Sequence, residues 1–112
     1  MKVFLRVLLL SVSSVGWASC PLATAITSPD FCESFKMATE CHCALSGLPK
    51  GRCSNMSLVY KMMIDMLGPL HISCSHQHYT STQECIDDWN CYRYGGLTSD
   101  GQLCSGTGRA CA

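Results

Sequence analysis

The chain has 112 residues, and ten of them are cysteines. This length argues against two domains, and so many cysteines are typical of one small domain held together by disulfides. Eight basic residues balance eight acidic ones and no two basic residues are adjacent, so the chain lacks the clustered positive charge that binds nucleic acid or an anionic membrane.

The first 25 residues have the pattern of a secretory signal peptide. A short basic start precedes an apolar stretch, residues 7–17, that is too short to span a bilayer. Two sites fit the small-x-small pattern of cleavage: we predict cleavage after Ala25, with cleavage after Ala18 as the alternative. Residues 26–112 then form one cysteine-rich helical domain, which we expect to be secreted, because no later apolar run approaches the length of a membrane helix.

The two cleavage sites differ in the cysteines they leave. Cleavage after Ala25 removes Cys20 and leaves nine of the ten cysteines, an odd number that implies a free thiol or a covalent dimer. We expect four or five disulfides to dominate stability, since each contributes roughly 2–4 kcal/mol and so small a domain buries little apolar surface. Their pairing does not follow from the sequence. The predicted disulfide cysteines are Cys32, Cys41, Cys43, Cys53, Cys74, Cys85, Cys91, Cys104 and Cys111.

The first of three predicted helices extends from about Pro29 to Cys43. Ser28 provides a capping hydroxyl, and proline is favourable at the first helical position, where its missing N–H is not needed. Cys41 and Cys43 lie two positions apart and face different directions on a helix, so we expect them not to bond to each other. A loop rich in Gly and Pro follows.

The second predicted helix begins near Ser54 or Asn55 and ends before a glycine–proline pair. Its polar residues form one stripe, in which Lys61 and Asp65 are placed to pair, and four methionines lie among the apolar residues. Such a helix is either central in the core or half exposed as a contact surface, and we favour the core. Asn55 also begins an Asn-Met-Ser sequence, which is a glycosylation acceptor if the source is eukaryotic.

The third predicted helix begins with a capping box formed by Ser81 and Glu84 and ends at Cys91. We place Trp89 on its inner face, and Asp87 and Asp88 on its outer, solvated face. The remaining chain is rich in glycine and turns.

Within this tail, Asp100-Gly101 is a turn sequence that favours a small hairpin between Leu97 and Leu103. The predicted fold class is therefore a small, disulfide-rich, all-α protein with about three short helices and an irregular Gly-rich C-terminal tail.

A histidine-rich segment is the densest group of side chains that could carry chemistry. His71, His76 and His78 are candidate ligands for zinc or copper, and in an extended segment Cys74 projects to the same side as the last two. The competing interpretation is a polar surface loop whose cysteine is oxidised, which would remove the sulfur as a ligand. A secreted metal-binding protein is thus one alternative function.

We favour a secreted protein that acts by binding an extracellular protein partner, as toxins, effectors and signalling ligands do. Tyr92, Arg93 and Tyr94 are the candidate contact residues, because Tyr and Arg dominate binding hot spots. We expect no enzymatic activity and no cofactor: no histidine precedes an aspartate as in small calcium-dependent phospholipases, and there is no basic patch for a phosphodiester substrate. A small secreted hydrolase without a recognisable signature is the second alternative.

Overall fold

The computed structural model describes residues 20–112, with the backbone alone of Lys50. Most of the predicted signal peptide lies outside these residues. The described elements are five α-helices and a 3-10 turn: α1 (Phe31–Leu45), α2 (Lys50–Cys53), α3 (Met56–Leu67), α4 (Leu70–His76), α5 (Thr82–Tyr94) and the turn Cys104–Gly106. The predicted small, disulfide-rich, all-α fold class is confirmed, and the two short helices α2 and α4 are additional to the three predicted.

Side-chain caps fix the starts of α3 and α5, and the Ser81 cap of α5 is the one that the sequence predicts. The Asn55 side chain accepts a hydrogen bond from the Leu58 N–H at 3.1 Å, and the Ser81 hydroxyl accepts one from the Glu84 N–H at 3.1 Å. Each bond satisfies a backbone donor that has no partner within the helix.

The start of α1 differs from the prediction. The helix begins at Phe31, and its cap residue, Asp30, makes no side-chain capping bond. The Ser28 hydroxyl donates to the Asp30 carboxylate instead of capping the helix, so the predicted Ser28 cap is wrong.

The end of α5 also lies beyond the predicted position. The helix continues past Cys91 to Tyr94 and stops where Gly95 adopts a positive φ of 69°. A Cβ atom at Gly95 would lie 2.5 Å from backbone atoms of both Gly108 and Ala110, so the tail can pack here only against a glycine.

Five disulfides connect all ten cysteines within the chain. The pairs are Cys20–Cys41, Cys32–Cys111, Cys43–Cys53, Cys74–Cys85 and Cys91–Cys104. Cys41 and Cys43 bond to different partners, so the end of α1 is fixed both to the segment before it and to α2.

The core consists of aromatic rings and half-cystines. Phe35 stands edge-on to Trp89 with ring centroids 5.0 Å apart, and Phe31 stacks on Phe35 at 5.4 Å. Tyr60 of α3 also packs against Trp89, with ring centroids 5.2 Å apart. These rings join α1, α3 and α5, and Trp89 is buried.

Helix α3 is not the centre of the core. Met56 is its one buried residue, whereas Met66 and Leu67 near its end are exposed. The predicted Lys61–Asp65 ion pair does not form; within the described part of the chain the one ion pair joins Lys36 and Glu40 at 3.9 Å on the surface. The helix therefore presents an apolar side that its neighbours leave partly uncovered.

The C-terminal tail closes as a small hairpin. Leu97 and Leu103 form an antiparallel bridge, and the Thr98 N–H donates to the Gln102 carbonyl at 2.8 Å. The Cys111 N–H donates to the Tyr92 carbonyl at 2.9 Å, which fixes the end of the tail to α5. Within residues 20–112, no helix has both the length and the apolar character that crossing a bilayer requires.

Candidate functional site

A cavity of about 350 Å³ lies between α1, α3 and the α4–α5 pair, and residues 21–23 also contribute to its wall. This volume is within the range of pockets that bind small molecules. We call it the methionine cavity because Met62, Met63 and Met66 form much of one side. The other apolar residues in its lining are Leu22, Ala23, Phe35, Ala38, Leu48, Val59, Leu67 and Trp89.

Helical spacing explains why α3 and α1 both turn apolar sides to this cavity. On α3, Val59 and the three cavity methionines recur at intervals of three and four residues, which places them on one face. On α1, Phe35, Ala38 and His42 lie on one face by the same rule. Ala38 is the smallest of these side chains and leaves space between the two helices.

Asp88 is the acidic residue in the lining of the methionine cavity. We expected it on the outer face of α5, and this prediction is wrong, because Asp88 lies three residues after Cys85 and four before Tyr92, on the buried face of the helix. Its neighbour Asp87 points elsewhere and accepts a hydrogen bond from the Ser99 hydroxyl at 2.8 Å.

Burial, together with the smaller effect of the negative charges of Glu84 and Asp87, raises the pKa of Asp88 to about 7. Near neutral pH, Asp88 therefore exchanges between a carboxylic acid and a carboxylate. Among the described residues, no group forms a hydrogen bond or an ion pair with the Asp88 carboxylate.

An aromatic pair lies at another part of the lining. His42 stacks on Tyr79 with ring centroids 3.5 Å apart and an angle of 24° between the planes. Burial lowers the pKa of His42, which favours the neutral imidazole at neutral pH. Tyr79 remains half exposed, so the pair presents one surface to the cavity and another to solvent.

Ser73, His76 and Asp88 line the same cavity, and these residue types occur together in hydrolases. Their contacts differ from those of a catalytic site. The buried Ser73 hydroxyl lies 2.7 Å from the Gly68 carbonyl and 3.4 Å from the Met63 carbonyl, and His76 is not among its partners. An activated serine needs a hydrogen bond to its base, and the Ser73 hydroxyl instead contacts two backbone carbonyls.

The histidine-rich segment does not have the extended geometry that we predicted for a metal site. Residues 70–76 form α4, so side chains two apart do not project to one side. Cys74 is bonded to Cys85, and His71 and His78 lie exposed on the surface. Throughout residues 20–112, no group of three or more His, Cys, Asp or Glu side chains is placed to hold a metal ion.

The predicted contact residues separate into the core and the surface. Tyr92 is buried against Phe35, with ring centroids 5.5 Å apart, because it shares the inner face of α5 with Trp89. Tyr94 is exposed, and the Arg93 guanidinium lies 3.8 Å from the Tyr60 ring centroid and 4.9 Å from that of Tyr94.

Sequence reasoning missed the methionine cavity, although two signals for it were present. The apolar residues of α3 recur every three or four residues, which places them on one face of the helix, and Asp88 has the helical spacing of a buried residue. Neither signal indicates that the neighbouring helices leave space between them. Asn55, the predicted glycosylation position, is exposed at the start of α3.

The chain matches no protein-family model, no curated protein and no solved structure. Its function is therefore inferred from the cavity and from the surface around it.

Proposed function

We propose that this protein is a secreted binding protein that holds a small lipophilic molecule in the methionine cavity. The observation that carries the proposal is a cavity of about 350 Å³ whose lining surface is mainly apolar and includes one acidic residue, Asp88, with a strongly raised pKa. A pocket with these features is the usual form of a small-molecule site.

The disulfides support this proposal because they hold most of the cavity wall in place. Cys43 and Cys85 belong to the lining, and their bonds to Cys53 and Cys74 fix α1 to α2 and α4 to α5. A wall that is already ordered loses little entropy when a ligand binds. Five disulfides also fit an oxidising, extracellular environment.

Helix α3 is the wall that can adapt. It contains no cysteine, and its cavity side consists largely of methionines, whose unbranched side chains fill irregular spaces. We expect the cavity to accept lipophilic molecules of somewhat different shape without a change in the disulfide-linked helices.

Fluorescence of N-phenyl-1-naphthylamine, a neutral lipophilic dye, tests this function in the oxidised protein. We expect saturable binding to the wild type and a loss of at least 10-fold in affinity in Ala38→Phe, which fills the space between α1 and α3. Met37→Phe is the matched control, because Met37 is exposed and adjacent in sequence. Equal affinity in Ala38→Phe and the wild type contradicts the proposal.

A second variant keeps this test decisive if Ala38→Phe does not fold. Met66→Trp enlarges an exposed residue in the lining of the cavity and leaves the core unchanged. We expect it to weaken dye binding while the far-UV circular dichroism and the five disulfides are retained. A dye that binds neither the wild type nor any variant rejects the lipophilic-ligand function.

Binding of a protein partner is the second candidate function, and the exposed Tyr94 favours it. The Arg93 guanidinium lies over the rings of both Tyr60 and Tyr94, so Arg93 and Tyr94 are ordered on the surface before any partner binds. Binding of labelled protein to a panel of intact cells, compared between the wild type and Tyr94→Ala, tests this function. Equal binding by the two proteins contradicts a contact through Tyr94.

A further inference from the structure

We infer that the methionine cavity selects lipophilic amines, with the ligand's ammonium group paired to the Asp88 carboxylate. This inference rests on the proposed function and adds the chemical class of the ligand. It follows from the composition of the lining, from a half-buried carboxylate that no described residue hydrogen-bonds to, and from the charges around it.

The lining contains a negative group and lacks a positive one. Asp88 faces the cavity, whereas no Lys or Arg belongs to the lining among the side chains that the structure describes, which exclude that of Lys50. A fatty-acid carboxylate would therefore meet a like charge with no cation to offset it. An ammonium group would meet an opposite charge in a largely apolar space, where electrostatic interactions are stronger than in water.

The charged groups nearest to Asp88 are negative. Glu84 and Asp87, on the same helix, add negative potential at its carboxylate. His42 of α1 and His76 of α4 face the cavity, and so does Tyr79, which lies in the loop between α4 and α5. Burial favours the neutral form of the His42 imidazole, so it offers a hydrogen-bond acceptor to an ammonium group and not a competing charge.

Asp88 is also a group without a partner. It is half-buried, and no described residue hydrogen-bonds to its carboxylate, so solvent alone satisfies this group in the free protein and only in part replaces the water lost on burial. An ammonium ligand supplies the missing donor and charge together. An alcohol supplies a donor only, and a carboxylate supplies neither the charge nor, when ionised, a donor.

Matched probes with one hydrocarbon chain separate the effect of the head group from that of the tail. We propose to displace the bound dye at pH 8 with dodecylamine, dodecanol and dodecanoate, each below its micelle concentration. We expect dodecylamine to bind at least 10-fold more tightly than dodecanoate, with dodecanol between them. In Asp88→Asn, we expect dodecylamine affinity to fall at least 10-fold while dodecanol affinity stays within about two-fold of the wild type.

Asp65→Asn is the control for the change in net charge, because Asp65 is exposed on α3 and does not line the cavity. Its affinity for all three probes should equal that of the wild type. A loss of amine binding in Asp65→Asn as large as that in Asp88→Asn overturns the assignment to Asp88.

Acidification provides a test that needs no variant. Two pH units below a pKa of about 7, roughly 1% of Asp88 is ionised, so dodecylamine affinity should fall by up to about 100-fold between pH 8 and pH 5. Dodecanol affinity should change little. Amine binding that is unchanged at pH 5 overturns the inference.

The outcomes distinguish the inference from the function on which it rests. If dodecanoate or dodecanol binds as tightly as dodecylamine, the amine selectivity is wrong and the lipophilic binding function stands. If dodecylamine binds equally to the wild type and to Asp88→Asn, the role of Asp88 is wrong. If neither the dye nor any of the three chains binds, the proposed function and the inference both fail.

Discussion

Replacing Asp88 by asparagine should stabilise the protein at alkaline pH and have little effect at acidic pH. The pKa of Asp88 is raised from 3.8 to about 7, first by burial and then by the charges of Glu84 and Asp87. A carboxyl group with a raised pKa is more stable protonated in the folded protein than in the unfolded chain. The protein therefore loses stability as the pH rises from about 4 to above 7.

The size of the effect follows from the two pKa values. At 1.36 kcal/mol for each pH unit, the change from 3.8 to about 7 corresponds to about 4 kcal/mol at pH 8. Asp88 keeps some contact with solvent, which screens part of this cost, so we expect roughly 2 kcal/mol. Asparagine has nearly the same shape and never ionises, so the variant should avoid this loss.

Guanidinium chloride unfolding of the oxidised protein, followed by the fluorescence of the buried Trp89, measures the difference at pH 4 and pH 8. The free energy of unfolding of Asp88→Asn should exceed that of the wild type by roughly 2 kcal/mol at pH 8 and by less than about 0.5 kcal/mol at pH 4. Asp65→Asn, an exposed acid, should follow the wild type at both pH values. If the stabilities of Asp88→Asn and the wild type change in parallel with pH, the carboxyl group is not desolvated and the reasoning is refuted.

Three further substitutions test the fold by the same unfolding measurement. Gly95→Ala should lower the free energy of unfolding by roughly 1–3 kcal/mol more than Gly96→Ala does. Both glycines have a positive φ, but only at Gly95 would a Cβ lie 2.5 Å from backbone atoms. Equal losses of stability in the two variants would contradict the close packing of the tail. Asn55→Ala should cost about 0.5–2 kcal/mol through loss of the α3 cap, and Asn55→Ser should restore most of it. Phe35→Ala should cost about 3–5 kcal/mol, because this ring contacts Phe31, Trp89 and Tyr92 in the core; a cost below about 1 kcal/mol would contradict that packing.

Local signals in the sequence predict the features that depend on neighbouring residues. The predicted cap at Ser81 forms because its hydroxyl and the backbone N–H three residues later meet whenever a helix begins there. The hairpin around Asp100-Gly101 likewise needs only its own turn. Each of these structures is specified within about five residues of chain.

Features that depend on distant residues are not predictable in this way. The histidine-rich segment is helical and not extended, since short polar segments carry little periodicity and α4 is held by the Cys74–Cys85 bond. Tyr92 was predicted as a contact residue because of its residue type, yet it lies on the same side of α5 as Trp89 and is buried there. The methionine cavity depends on how far apart three helices are held, which no single segment encodes.

The Cys20–Cys41 disulfide bears on the cleavage site of the predicted signal peptide. The local sequence favours cleavage after Ala25, but the contacts of the preceding residues favour cleavage after Ala18. Cys20 is 7% exposed and is bonded to Cys41, and the Thr24 N–H donates to the Ser34 hydroxyl at 2.9 Å. Removing these residues would leave Cys41 without a partner.

Cleavage after Ala25 would also remove part of the wall of the methionine cavity, because Leu22 and Ala23 belong to its lining. We therefore predict a mature chain that begins at Ser19 and retains all ten cysteines. Intact mass of the secreted protein, before and after reduction and alkylation, should give this N-terminus, ten alkylated thiols after reduction and none before. In Cys20→Ser, one thiol, that of Cys41, should become reactive without reduction. A wild-type chain that begins at Ile26, with Cys41 free or bonded to a second chain, would contradict the prediction and would leave the cavity with one side open.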